Sequence, residues 1–170
     1  MGLFTWKLSG LPGAQVAHSL AEAVRQKCSP EDVVMLLKEV PGAEEAGGGG
    51  GDAAASSRFN PLKIDVLIQT LLHLGAKSFS HSFAAISKYH YVFKTLAESE
   101  EAQICILKSV FELWRDHQQM MVVIIDKMLK TQILECSAVA TGYSRREMSH
   151  EASPSSSIFI YDVVWLTQSF

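Results

Sequence analysis

Two histidines, His81 and His90, are the residues of this chain best suited by type to move a proton. His81 lies between Ser80 and Ser82, so a hydroxyl and an imidazole are sequence neighbours, and His90 falls on the helically spaced apolar stripe Phe79, Phe83, Ile86 and Phe93. Nucleophilic catalysis needs a third group to orient the base. No nucleophile, base and orienter can be assembled from these residues, and no G-x-S-x-G, H-E-x-x-H, Walker or dinucleotide fingerprint occurs. His90 therefore reads as a core or boundary histidine bonded to a backbone carbonyl. The chain is predicted to be no enzyme, with no catalytic residues, no cofactor and no small-molecule substrate.

Other chemistry-bearing types fare no better. Cys28, Cys105 and Cys136 are odd in number, widely spaced and without a C-x-x-C pair, a pattern of reduced intracellular thiols and not of a disulfide framework or metal site. Five consecutive glycines, Gly47 to Gly51, could suggest a phosphate cradle. No Gly-Lys-Ser/Thr follows, however, and so floppy a run reads as a linker. Phe83, Phe93, Phe111 and Trp114 could stack on RNA bases or on a methylated cap, but all four fall on apolar helical stripes, where core packing is the stronger reading.

Bulk charge narrows the field further. With 15 Lys plus Arg against 18 Asp plus Glu, the net charge is −3, which is wrong for a protein that grips an RNA backbone by phosphate neutralisation. The start of the chain does not look like a signal peptide, Trp6 stands where a myristoylation site wants Ser or Thr, and no apolar run reaches the roughly 18 residues of a membrane span. A soluble nuclear or cytoplasmic protein without membrane contact is expected.

The elements that would position these residues are all helical. Leu11 to Lys27 reads as a helix through Ala17, Leu20, Ala21 and Val24; Ser29 as cap and Pro30 at the first position then start a second, running to about Val40. Asn60-Pro61 opens a third that Gly75 should stop. It has a polar stripe of Asp65, Gln69 and His73 and is otherwise apolar enough to be sandwiched. One helix is predicted over about 78–97, with Phe79, Phe83, Ile86, Phe93 and Leu96 buried. Ser99 caps the next, with Ile104, Leu107, Phe111 and Trp114 inward and Glu101, Lys108, Glu112 and Arg115 outward. A last helix covers about 117–134. The pairs 61–97 and 99–134 repeat at nearly the 40-residue interval of HEAT-type hairpins. The fold class is all-α, of HEAT-like helical-hairpin repeats, and such scaffolds bind other macromolecules.

The segment FNPLKIDVLIQTLLHLGAKSFSHSF at 59–83, followed by KYHYVFKTLAESEE at 88–101, closely resembles the large subunits of the nuclear cap-binding complex. LPGAQVAHSLAEAV at 11–24, LLKEVPGAEE at 36–45 and QMMVVIIDKMLKTQI at 119–133 are similar to the flanking stretches, so the resemblance covers roughly 11–140. It implies helical repeats similar to the middle domain of translation initiation factor 4-gamma. It further implies a scaffold that braces the small cap-binding subunit on 7-methylguanosine-capped RNA and recruits factors of RNA processing, splicing, export and nonsense-mediated decay, in the nucleus and also the cytoplasm. The residues alone leave a second reading open, a HEAT-like protein-binding adaptor with no RNA role, and they do not point to any partner-binding residues.

The organisation expected is a divergent segment 1–10, a helical hairpin 11–40, a glycine-rich flexible linker 41–57, a repeat body 58–140 and a divergent, poorly ordered tail 141–170. The tail departs from the family at Thr141-Gly142-Tyr143-Ser144, where the family reads Asn-Trp-Ile-Phe-Ser, and is attributed to a frame change or altered splice. Its apolar stretch from Ile158 to Leu166 is expected to promote aggregation.

Overall fold

The computed structural model describes residues 13–40 and 60–148, with side chains to Arg145. The segment 1–10, the linker 41–57 and most of the tail lie outside the described residues. Eight helices are found among the described residues: α1 Ala14–Arg25, α2 Pro30–Lys38, α3 Pro61–Leu74, α4 Phe79–Lys88, α5 His90–Leu96, α6 Glu100–Leu113, α7 Gln118–Lys130 and α8 Cys136–Met148. No strand occurs among these residues.

Local signals set most helix starts. The Ser29 side chain accepts from the Asp32 amide while the Asp32 carboxylate takes the Ser29 amide, a capping box with Pro30 at the first position. Asn60 accepts from the Leu62 amide at 2.9 Å ahead of Pro61, and Ser99 accepts from the Ala102 amide. Helices α1, α3 and α6 form an inner row, α1 on α3 and α3 on α6, while α2 packs on α5 and α4 on α7. Three hairpins thus stack in sequence order, and the 11–40 hairpin shares one core with the body, from Leu20, Val33 and Leu37 through Ile64, Leu67, Leu71 and Phe93 to Ile106, Ile124 and Met128.

Four expectations are corrected. The helix expected over 78–97 is broken at Tyr89, whose φ of −101° and ψ of 21° end α4 and start α5. The bend lets the Tyr89 ring sink to 2% exposure and its hydroxyl donate to the Cys28 carbonyl at 3.2 Å, tying α5 to the start of α2. Phe79, placed on the buried stripe, is 41% exposed although Ser82 and Ile86 on the same face are buried, because it is the first residue of α4 and its side chain leans past the helix end. The seat of α4 is set at Gly75, which stops α3 with an ordinary φ of −80° and without the left-handed turn such stops favour. A Cβ on Gly75 would lie 3.0 Å from the Ser82 Cα, and the Ser82 hydroxyl donates to the Gly75 carbonyl at 2.9 Å. Glycine is there for close approach of two backbones.

The third correction concerns α6. It buries Ala102, Gln103, Ile106, Leu107, Ser109, Val110 and Phe111, more than the single stripe expected, because α3 covers one side and α8 another. The fourth concerns 141–148, assigned to a poorly ordered tail but found as the continuation of α8. Tyr143 is buried there, its ring centroid 5.0 Å from that of Phe111. Alanine and glycine at 138, 140 and 142 gave this segment too weak an apolar period to read.

Helix α8 does not prolong the stack in register. Thr141 and Arg145 reach Glu100 and Glu101 on the first turn of α6, yet Tyr143 between them touches Phe111. Ten residues of helix span about 15 Å, so α8 must cross α6 steeply.

Candidate functional site

The residues that could do chemistry are dispersed by the fold. His81 Nδ1 lies 2.7 Å from the Ser78 hydroxyl, which also accepts the His81 amide as the cap of α4. That places a hydroxyl and an imidazole in contact, but the pair serves the helix start, and no carboxylate among its described contacts orients the ring. His90 Nε2 is 2.8 Å from the Thr131 carbonyl, so it is bonded to the backbone as expected from its place on an apolar stripe. Beside it Lys94 donates to the Gln132 carbonyl at 2.6 Å. Together they close the last turn of α7, where the chain reverses through Gln132 at φ 60° and cations suit the negative end of the helix.

The aromatic candidates divide. Phe93, Phe111 and Trp114 are buried, and Phe83 is half-buried with the Lys127 ammonium 5.5 Å above its ring. None offers a free face to a base. The Asp65, Gln69 and His73 stripe is half-buried and turned partly toward α6, where the Ser109 hydroxyl donates to Asp65 at 3.0 Å. Burial, and then the neighbouring Asp65 carboxylate, push the Cys105 thiol up, which makes it a poorer nucleophile. Burial with the adjacent Cys28 likewise holds the Tyr89 phenol above its ordinary range. Cys28, Cys105 and Cys136 are free thiols, and no three His, Cys, Asp or Glu side chains among the described residues are grouped to hold a metal ion.

What the fold does build is a cleft of about 410 Å³ at the turns α3 to α4 and α6 to α7, lined by Ala76, Phe79, Trp114, His117, Gln118, Gln119 and Met120. Sequence reasoning missed it, because it joins the ends of two hairpins some 40 residues apart in the chain. The one available signal was the place of Phe79 directly after the Ser78 cap, at the end of a helix. Its walls mix the apolar Phe79, Trp114 and Met120 with the neutral amides of Gln118 and Gln119 and the imidazole of His117, an arrangement suited to binding. Among the described residues no helix is long and apolar enough to cross a membrane.

Comparison with known proteins agrees with this architecture. A family model described as MIF4G like matches residues 4–165, a span that takes in the stretches 4–10 and 141–165 set apart as divergent. Over 159 residues, 94% of the chain, it is 59% identical to nuclear cap-binding protein subunit 1 of Aedes aegypti, 57% to that of Anopheles gambiae and 46% to that of Homo sapiens. The chain spans 19% of the length of each of these relatives.

Proposed function

The chain belongs to the MIF4G-like family, and from that premise we propose that it acts as part of the scaffold subunit of a nuclear cap-binding complex. In this reading it helps brace the small subunit that holds the 7-methylguanosine cap, and it offers surface to factors of RNA processing, export and decay, in the nucleus and the cytoplasm. The observation that carries the proposal is 46–59% identity over 94% of the chain to subunit 1 proteins. The stack supports it physically. A row of hairpins with its aromatics committed to packing and no assembled catalytic set presents broad helical faces and little else, which is what a brace requires.

Co-purification tests the proposal. The full chain, expressed with the small cap-binding subunit and capped RNA, is expected to bring both down, and capped RNA only when the small subunit is present. Recovery of neither, with other proteins retained, would replace this reading by that of a HEAT-like adaptor with no RNA role.

A further inference from the structure

We infer that the surface where α4, α5 and α7 meet, carrying Lys88, Tyr91, Lys94, Lys127 and Lys130, is a contact site for single-stranded RNA. The net charge of −3 averages over charges that are segregated along the chain. Between Asp65 and Glu98 there is no acidic residue, and this stretch includes all of α4 and α5. Two contacts bring its cations to those of α7: His90 Nε2 lies 2.8 Å from the Thr131 carbonyl, and Lys94 donates to the Gln132 carbonyl at 2.6 Å. Lys88 stands two residues before His90, and Lys127 and Lys130 stand within four residues of Thr131, so the four ammonium groups gather at one end of the stack.

Structural roles absorb part of this charge and leave the rest. The carboxyl ends of α4 and α7 both lie here and together amount to about one negative charge. Asp126, 2.8 Å from Lys130, adds another. The neighbouring acids Glu98 and Glu135 border Gln103 instead, which binds the Ala97 carbonyl and the Glu135 amide at the entries to α6 and α8. About two positive charges therefore remain on this face. Lys88 and Lys127 lie 5.1 and 5.5 Å over the rings of Tyr89 and Phe83, contacts that position an ammonium without cancelling its charge. Lys94 spends one of its three donors on Gln132.

Tyr91 selects among anions. It is 63% exposed and stands one helical turn from the exposed Lys94, on the same side of α5. An open ring beside a cation stacks a base while the cation holds its phosphate. Carboxylates alone would satisfy the lysines and leave the ring uncovered. The inference rests on the scaffold reading only for the source of the RNA: a strand already held by its cap needs just a weak second contact, because tethering raises its local concentration. With so few charges, free RNA should bind at about 10⁻⁴ M at physiological salt, the weak end of non-specific association, and should wash away in co-purification.

The test is fluorescence polarisation of labelled, uncapped decauridylate titrated with the full chain at several salt concentrations. Saturable binding is expected, with log affinity falling against log salt at a slope of about −1.4 to −2.8, the mark of two to four phosphates. Tyr91→Phe should bind as the parent does, Tyr91→Leu about tenfold more weakly, and Lys88→Gln should reduce the slope by about 0.7. Both positions are exposed, and thermal melts check that each variant folds. Neither cap nor small subunit enters this assay, so its failure leaves the co-purification result standing. No saturable binding, parental affinity in Tyr91→Leu, an unchanged slope in Lys88→Gln, or competition by decaglutamate as effective as that by unlabelled decauridylate would overturn the inference.

Discussion

Gln103 is buried to 6% exposure and joins two chain reversals that are distant in sequence. Its amide nitrogen donates to the Ala97 carbonyl at 3.3 Å, at the entry to α6, and its amide oxygen accepts the Glu135 amide at 2.9 Å, at the entry to α8. Replacing it with Met keeps length and volume but removes both bonds. Each buried backbone group left without a partner costs about 1–3 kcal/mol, so the pair is worth about 2–4 kcal/mol after allowance for the gain from a less polar side chain. In a chain of this size 1 kcal/mol moves the melting temperature by about 2–4 °C, and Gln103→Met should lower it by roughly 5–15 °C. Gln103→Glu separates the two bonds: it retains an acceptor for Glu135 but sets a carboxylate against the Ala97 carbonyl, and it should be at least as damaging at neutral pH. Thermal melts by circular dichroism, with urea titrations at 25 °C, measure both. A melting temperature within 2 °C of the parent for Gln103→Met would show that water replaces the side chain and that the two reversals are not held together by it.

Burial holds the His73 imidazole below its ordinary value of 6.5. The unfolded chain therefore takes the proton first, so the stabilising contribution is complete above that value and is lost as pH falls through the lower folded-state value. His73→Gln should flatten the stability profile on the acid side of 6.5, and an unchanged urea midpoint slope with pH would contradict this. Gly75→Ala should destabilise by about 1–2 kcal/mol, because the crowding of Ser82 outweighs the smaller entropy gained by stiffening the unfolded chain; a more stable variant would show that α4 can retreat. Tyr143→Ala should cost about 3 kcal/mol by opening a cavity against Phe111, whereas a cost under about 0.5 kcal/mol, the range of surface changes, would put α8 outside the cooperative core. The chain alone should not be retained on 7-methylguanosine resin, since Phe93, Phe111 and Trp114 are buried; retention competed by free cap analogue would refute this.

Helix starts were the most legible part of the fold, because a cap is a local event: Ser29, Asn60 and Ser99 each act within three residues of themselves. Inward faces were legible where one side of a helix is buried and obscure where two are, which is why α6 exceeded its expected stripe. The break at Tyr89 was hidden because the contact it permits lies 61 residues away, at the Cys28 carbonyl. Phe79 was misplaced for another reason: its periodicity is genuine, but it stands at the first position of α4, where a side chain leans beyond the helix end. The cleft followed from none of these patterns, since its walls are the ends of hairpins and periodicity describes only their flanks.

The steep crossing of α8 over α6 bears on how a longer scaffold containing this chain can grow. Stacked hairpins add material along one axis, each new pair repeating the translation of the last, and the result is a gently curving rod. A helix laid athwart the row ends that translation. Anything packed on the far side of α8 takes its direction from α8, so the rod turns a corner there and presents two faces at an angle to one another. A recess between such faces can grip a second protein from two sides, which a straight rod, however long, cannot do.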